Sequence, residues 1–114
     1  MKKLVIFALL MISIGASAQN SLDSAYIREN YVKIERMVPM RDGVKLFTAI
    51  YMPKDKTEKH PILMNRTPYS CAPYGEDRFR PYWGSYHRLY CRENYIIVLQ
   101  DVRGRYMSEG VFED

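Results

Sequence analysis

The run Tyr95-Ile96-Ile97-Val98-Leu99 constrains this chain more than any other stretch. Consecutive apolar residues without alternation suit a strand covered on both faces, the setting of an interior strand in a parallel sheet. Such a strand needs a partner reached through a crossover of a dozen or more residues. The sequence offers one. Ile62 to Asn65 reads as a short strand, also apolar along most of its length and expected to be covered on both faces. Between the two, Tyr82, Trp83, Tyr86, Leu89 and Tyr90 recur at helical spacing, so Tyr82 to Glu93 is expected to form an amphipathic helix. Asn94 suits the left-handed residue beyond its C-terminus. The piece from Ile62 to Leu99 is therefore a βαβ unit, whose crossover is right-handed as a rule.

Upstream the period changes to two. From Tyr31, the residues Val32, Ile34, Arg36 and Val38 alternate with Lys33, Glu35 and Met37, a strand pattern with the first set mostly apolar. Asp42-Gly43 is a strong hairpin signal, because glycine tolerates positive φ. Leu46 to Met52 is β-branched and aromatic and supplies the return strand. Pro53 stops it, and Lys54 to His60 is a charged, solvated connection. Cys71 to Pro81 reads as an irregular loop. The fold class is α/β: an antiparallel hairpin leading into a parallel βαβ sheet. One helix for four strands leaves a face of the sheet bare, so the pattern is that of the first part of a larger domain.

The first 18 residues stand apart. Lys2 and Lys3, the apolar stretch Leu4 to Ile14 and the small residues Ala16-Ser17-Ala18 make a secretory signal peptide, and the apolar stretch is shorter than the roughly 20 residues that span a bilayer. The expected mature chain begins at Gln19, with a polar leader over 19–30 and the fold over 31–114; it is exported, periplasmic or secreted, with no membrane attachment after cleavage. Removing Lys2 and Lys3 from 17 basic residues leaves 15 against 13 acidic, a formal charge of +2 where the whole chain has +4. No block of like charge remains, which argues against a nucleic-acid partner. Cys71 and Cys91 could form a bridge in an exported chain or be two separately buried thiols, and the burial habit of unpaired cysteine favours the second. Neither lies in a metal-ligand spacing, and His60, His87, Glu76 and Asp77 form none either; no metal or other cofactor is expected. Oligomeric state, a homo-oligomer included, is left open.

In open α/β sheets ligands bind beyond the carboxyl ends of the parallel strands. Two segments lie there: Asn65-Arg66-Thr67-Pro68-Tyr69 and Gln100-Asp101-Val102-Arg103-Gly104-Arg105. In the second, structural ion pairs between the arginines and Asp101 are expected to fasten the loops, since the guanidinium fork bridges carboxylates and carbonyls, and Gly104 allows a tight turn. A serine nucleophile on this architecture sits in G-x-S-x-G at a strand-to-helix turn, and the chain has no such motif. Ser85, in Trp83-Gly84-Ser85-Tyr86-His87, has the wrong glycine spacing and falls in the helical stretch, where positions i and i+2 do not face each other. His60 and His87 read as structural or surface residues.

Together, Val38 to Pro53 (VPMRDGVKLFTAIYMP), Pro61 to Tyr69 (PILMNRTPY) and Tyr95 to Gly110 (YIIVLQDVRGRYMSEG) resemble the N-terminal part of the X-prolyl dipeptidyl-peptidase and cocaine-esterase (CocE/NonD) hydrolases. That group includes the α-amino acid ester hydrolases and glutaryl-7-aminocephalosporanic acid acylases. The resemblance runs from about Val32 to Asp114. It implies an α/β-hydrolase fold, a Ser-Asp-His triad, a helical cap and a C-terminal jelly roll. It also implies that Tyr69 donates its hydroxyl to the tetrahedral oxyanion, where other α/β-hydrolases use a backbone N–H from the same loop. The triad would lie after Asp114, so the 114 residues alone are expected to be inactive. The implied substrate is a small-molecule or short-peptide ester or amide. The carboxylate cluster with which some α-amino acid ester hydrolases bind an α-ammonium group has no counterpart in the pattern: Ser70 and Cys71 follow the tyrosine, and Glu76 and Asp77 lie further along. The competing reading is an exported, non-catalytic binding module derived from the same fold.

Overall fold

Four strands and two helices make up the computed structural model, which describes residues 23–81 and 83–113. The expected signal peptide over 1–18, and Gln19 with the next three leader residues, lie outside the described residues. A helix over residues 23–30, α1, precedes the hairpin of β1 (Tyr31–Pro39) and β2 (Lys45–Pro53). Then come β3 (Ile62–Thr67), α2 (Ser85–Arg92) and β4 (Ile96–Asp101). The sheet order is β1-β2-β4-β3. β4 is antiparallel to β2, with Thr48 opposite Gln100, and parallel to β3, with Thr67 opposite Asp101. This is a mixed α/β sheet in which the last of the four described strands occupies an interior position.

Each element follows from local chemistry. Gly43 turns the hairpin at φ +85°, and the Val44 N–H donates to the Asp42 carboxylate at 3.1 Å. At the end of α2, Asn94 takes φ +59°, its N–H donates to the Cys91 carbonyl, and the Tyr95 N–H donates to the Tyr90 carbonyl. That pair of bonds is a Schellman closure, which satisfies carbonyls the helix leaves without partners. The helix begins at Ser85 rather than Tyr82.

One face of the sheet is covered. Phe47, Ala49, Tyr51, Ile97 and Leu99 point into a core closed by Ile27 of α1, Trp83, Cys91 of α2 and Cys71. Burying each large apolar side chain contributes roughly 1.5–3 kcal/mol. Tyr51 meets Trp83 edge to face, with centroids 4.8 Å apart. The leader segment, expected only as polar chain, supplies α1, which is docked by Asp23: the carboxylate, 6 % exposed, accepts from Arg92 at 2.7 Å and Arg88 at 3.4 Å. Cys71 and Cys91 are both buried and unpaired.

Two expectations are corrected. In β1 the buried side is Tyr31 and Lys33 with Glu35 partly covered, not the mostly apolar set, in which Val32 is 36 % exposed. The Lys33 ammonium, whose side chain is fully buried, donates to the carbonyls of Pro73 and Arg78 and pairs with Glu35 at 3.2 Å. Three acceptors and the face of Tyr51, 5.4 Å away, replace its water. In addition, β3 is not covered on both faces. Its burial alternates, Ile62 and Met64 being 64 % and 44 % exposed, because among the described residues only the opposite face, which carries Leu63, packs on the core; it also lies at the edge of the described sheet.

Candidate functional site

Because β3 and β4 run parallel in register, their carboxyl ends lie side by side, and the two polar segments expected to carry chemistry come together there. The Val102 N–H donates to the Thr67 carbonyl at 3.1 Å, extending the pairing one step past the strands. From that shared edge the chain turns at Pro68 and presents Tyr69, which is 82 % exposed. No group among the described residues bonds its hydroxyl. Its backbone is another matter. The Tyr69 N–H donates to Thr67 Oγ1 at 3.0 Å, and both Nε and Nη2 of Arg105 lie 3.4 Å from the Pro68 carbonyl oxygen.

Beyond Tyr69 the chain is locked again. Ser70 takes φ +85°, a region a non-glycine residue occupies only under constraint. Its Oγ accepts from the Ala72 N–H and shares a hydrogen bond with the Tyr74 hydroxyl, both at 3.0 Å. Asp101, fully buried at the end of β4, organises the rest. Its carboxylate accepts from the Cys71 N–H at 2.8 Å, the Tyr74 hydroxyl at 2.9 Å and the Met107 N–H at 3.3 Å, while its carbonyl accepts from Ser108 Oγ at 2.6 Å. Burial, together with Asp101 and despite the opposing Ser70 bond, pushes the Tyr74 hydroxyl up to about 12. Burial, and then the neighbouring Asp101 carboxylate, pushes the Cys71 thiol up as well. Such a thiol is inert.

The expected ion pairs between Asp101 and the arginines are thus not what fastens the loops. Among the described residues no arginine bonds Asp101; its buried carboxylate is hydrogen-bonded by backbone N–H groups and a phenol instead. Arg103 instead reaches the hairpin turn and holds Asp42 in two bonds of 2.8 and 3.2 Å, which, with the Val44 N–H, keep the Asp42 carboxyl below the usual carboxylate range. Beside the Pro68 turn, Val102, Arg103, Val111 and Phe112 line an open cleft of about 740 Å³.

The other candidates are dispersed. His60 faces the Asp55 carbonyl on the surface at 3.0 Å. His87 is buried against Trp83, and burial, followed by the Arg80 charge, lowers its pKa. Glu76 accepts from the Glu35 N–H and Arg36, so it fastens the loop to β1. The roles of Arg105, Ser70 and Tyr74 were missed in the sequence. The signal that could have found Arg105 is topological: the ends of adjacent parallel strands must meet.

Comparison with known proteins bears on the family and the fold. The family described as X-Pro dipeptidyl-peptidase (S15 family) matches residues 42–114. The chain is 39 % identical over 80 residues to the cocaine esterase of Rhodococcus sp. (strain MB1 Bresler), spanning 67 % of this chain and 12 % of that protein. A solved α-amino acid ester hydrolase superposes with a TM-score of 0.63 at 41 % identity, over 74 % of this chain and 14 % of its own. An aminopeptidase from a marine sediment archaeon, Thaumarchaeota archaeon, superposes with a TM-score of 0.64 at 38 % identity, over 75 % of this chain and 14 % of its own. The chain therefore spans a small part of each relative's length. With residues 42–114 matched and the strand-end loops in place, the chain belongs to the X-Pro dipeptidyl-peptidase (S15) family of hydrolases.

Proposed function

We propose that this chain is the N-terminal portion of an exported serine hydrolase of the α/β-hydrolase fold, and that Tyr69 supplies one donor of its oxyanion hole. The observation that carries the reading is the exposed Tyr69 hydroxyl, borne on a turn whose backbone is bonded on both sides, at the shared carboxyl edge of two parallel strands. Ligands in such sheets bind at that edge. A donor on a held turn, bonded by no group among the described residues, is suited to a charge that arises only during reaction, and one donor of this kind is worth about 10²–10³ in kcat.

The reaction is acyl transfer to water. A serine beyond Asp114 attacks the carbonyl of an ester or amide, the carbonyl oxygen becomes an oxyanion between the Tyr69 hydroxyl and the N–H following the nucleophile, and collapse releases the alcohol or amine. Water then hydrolyses the acyl-enzyme through a second oxyanion in the same hole. The substrate class is a small-molecule or short-peptide ester or amide. That matches the esterase, ester hydrolase and aminopeptidase activities in the relatives' names.

Reading the frame past the codon for Asp114 is the direct test. A G-x-S-x-G motif within a few dozen codons, and fluorophosphonate labelling of its serine in the expressed protein, is the expected result. A stop codon there would favour the non-catalytic binding module, and fluorophosphonate-sensitive hydrolysis by the 114 residues alone would refute the placement of the nucleophile.

A further inference from the structure

We infer that Arg105 is a positioning residue for the Tyr69 hydroxyl, acting through the peptide unit that joins Pro68 to Tyr69; the inference rests on the oxyanion reading above. A peptide unit is planar and rigid, leaving only the dihedrals on either side of it soft. Here its two polar ends are held by different parts of the chain. The carbonyl of Pro68 receives Nε and Nη2 of Arg105, each at 3.4 Å, and the N–H of Tyr69 goes to Thr67 Oγ1 at 3.0 Å. Gripping both ends fixes the plane, and with it the position of the Tyr69 Cα and the N–Cα axis about which its side chain swings. A small rotation of that plane is magnified at the hydroxyl, which sits at the far end of the ring.

Arg105 is itself held in place. Its guanidinium lies 5.2 Å from the Phe112 ring centroid and 5.4 Å from that of Tyr106, and its N–H donates to the Val102 carbonyl at 3.1 Å. Stacking on aromatic faces and a planar fork are properties of guanidinium that an ammonium lacks. Each bond to Pro68 is long and weak, so the pair adds little to stability. What it supplies is direction, and in a reacting site an error of about 1 Å can cost on the order of 10²-fold in rate.

The test uses the complete protein with its catalytic serine. Arg105→Ala is expected to lower kcat by roughly 10- to 10²-fold with KM changed by less than about threefold, because binding groups are left in place. Added guanidinium ion should restore part of the rate. In a Tyr69→Phe background Arg105→Ala should cost little further, since the hydroxyl it aims is already gone. Arg105→Lys, which keeps the charge without the fork, should show a smaller loss of the same non-additive kind, and it serves if the alanine variant does not fold. Unchanged kcat in Arg105→Ala, or a loss that multiplies in full with Tyr69→Phe, would overturn the inference while leaving the oxyanion reading intact. Wild-type kcat in Tyr69→Phe would remove the oxyanion reading, and the role of Arg105 with it.

Discussion

Tyr69 and Lys33 are opposite cases of a polar side chain placed by its surroundings. The exposed Tyr69 hydroxyl is bonded by no group among the described residues, so its removal should leave the fold alone. Tyr69→Phe in the complete protein is expected to lower kcat about 10²–10³-fold and to shift stability by less than about 0.5 kcal/mol; kinetics and thermal unfolding on one preparation check both. Lys33 is bound on every side. Lys33→Met keeps the aliphatic volume but strands two carbonyls and leaves the Glu35 carboxylate, among the described residues, only the Gly75 N–H, and should destabilise by about 3 kcal/mol, read from the urea midpoint. The turn that carries Tyr69 was legible in the sequence because a proline after an apolar strand is a local pattern, whereas an oxyanion role for its hydroxyl was implied only by the family resemblance. Lys33 was not, since its acceptors at Pro73 and Arg78 lie 40 and 45 positions away. In a single sequence a lysine reads as solvent-facing, and alternation cannot tell which face is inside.

The strands were legible for the reason that the Tyr69 turn was: their periods are local, and the run at β4 admits little else. The failures at this scale concern neighbours. That β3 lies at an edge depends on what pairs beside it, which period does not record. That residues 23–30 form a docked helix depends on Asp23 meeting Arg88 and Arg92, 65 and 69 positions on. The turn after β4 was read correctly from Gly104, and its requirement is strict. Gly104 has φ +74°, and a Cβ there would lie 2.0 Å from the backbone nitrogen of Phe112. Gly104→Ala must move residues 111 and 112 or unwind the turn, and should cost about 1–3 kcal/mol, again in the urea midpoint. By displacing Phe112 from Arg105 it should also lower kcat in the complete protein.

For the molecule as a whole, the buried acids set the response to pH. Burial raises the hydroxyls of Tyr31 and Tyr51, and raises Tyr74 and the Cys91 thiol to about 12. A group whose folded pKa lies above its unfolded value holds its proton longer when folded. Above about pH 9, where thiols and then phenols ionise in the unfolded chain, the folded state binds more protons and stability falls as pH rises. Full stability should persist below that range as far as these groups are concerned and be lost progressively through pH 9–12. On the acid side His87, lowered by burial, should remove stability below about pH 6.5. Urea midpoints across pH 5–11 would show a plateau with a steep alkaline edge, and a flat alkaline limb would contradict it.

The interior position of β4 also sets an order of events. β2 and β3 do not pair with each other, because β4, which follows both in the chain, lies between them. Until Asp101 exists, the hairpin and β3 have no common partner, and the loop carrying Tyr69 lacks the carboxylate that accepts the Cys71 N–H. Insertion of β4 therefore joins the hairpin to β3 and brings that carboxylate to the loop. Assembly of these four strands and shaping of the tyrosine turn thus depend on the same strand.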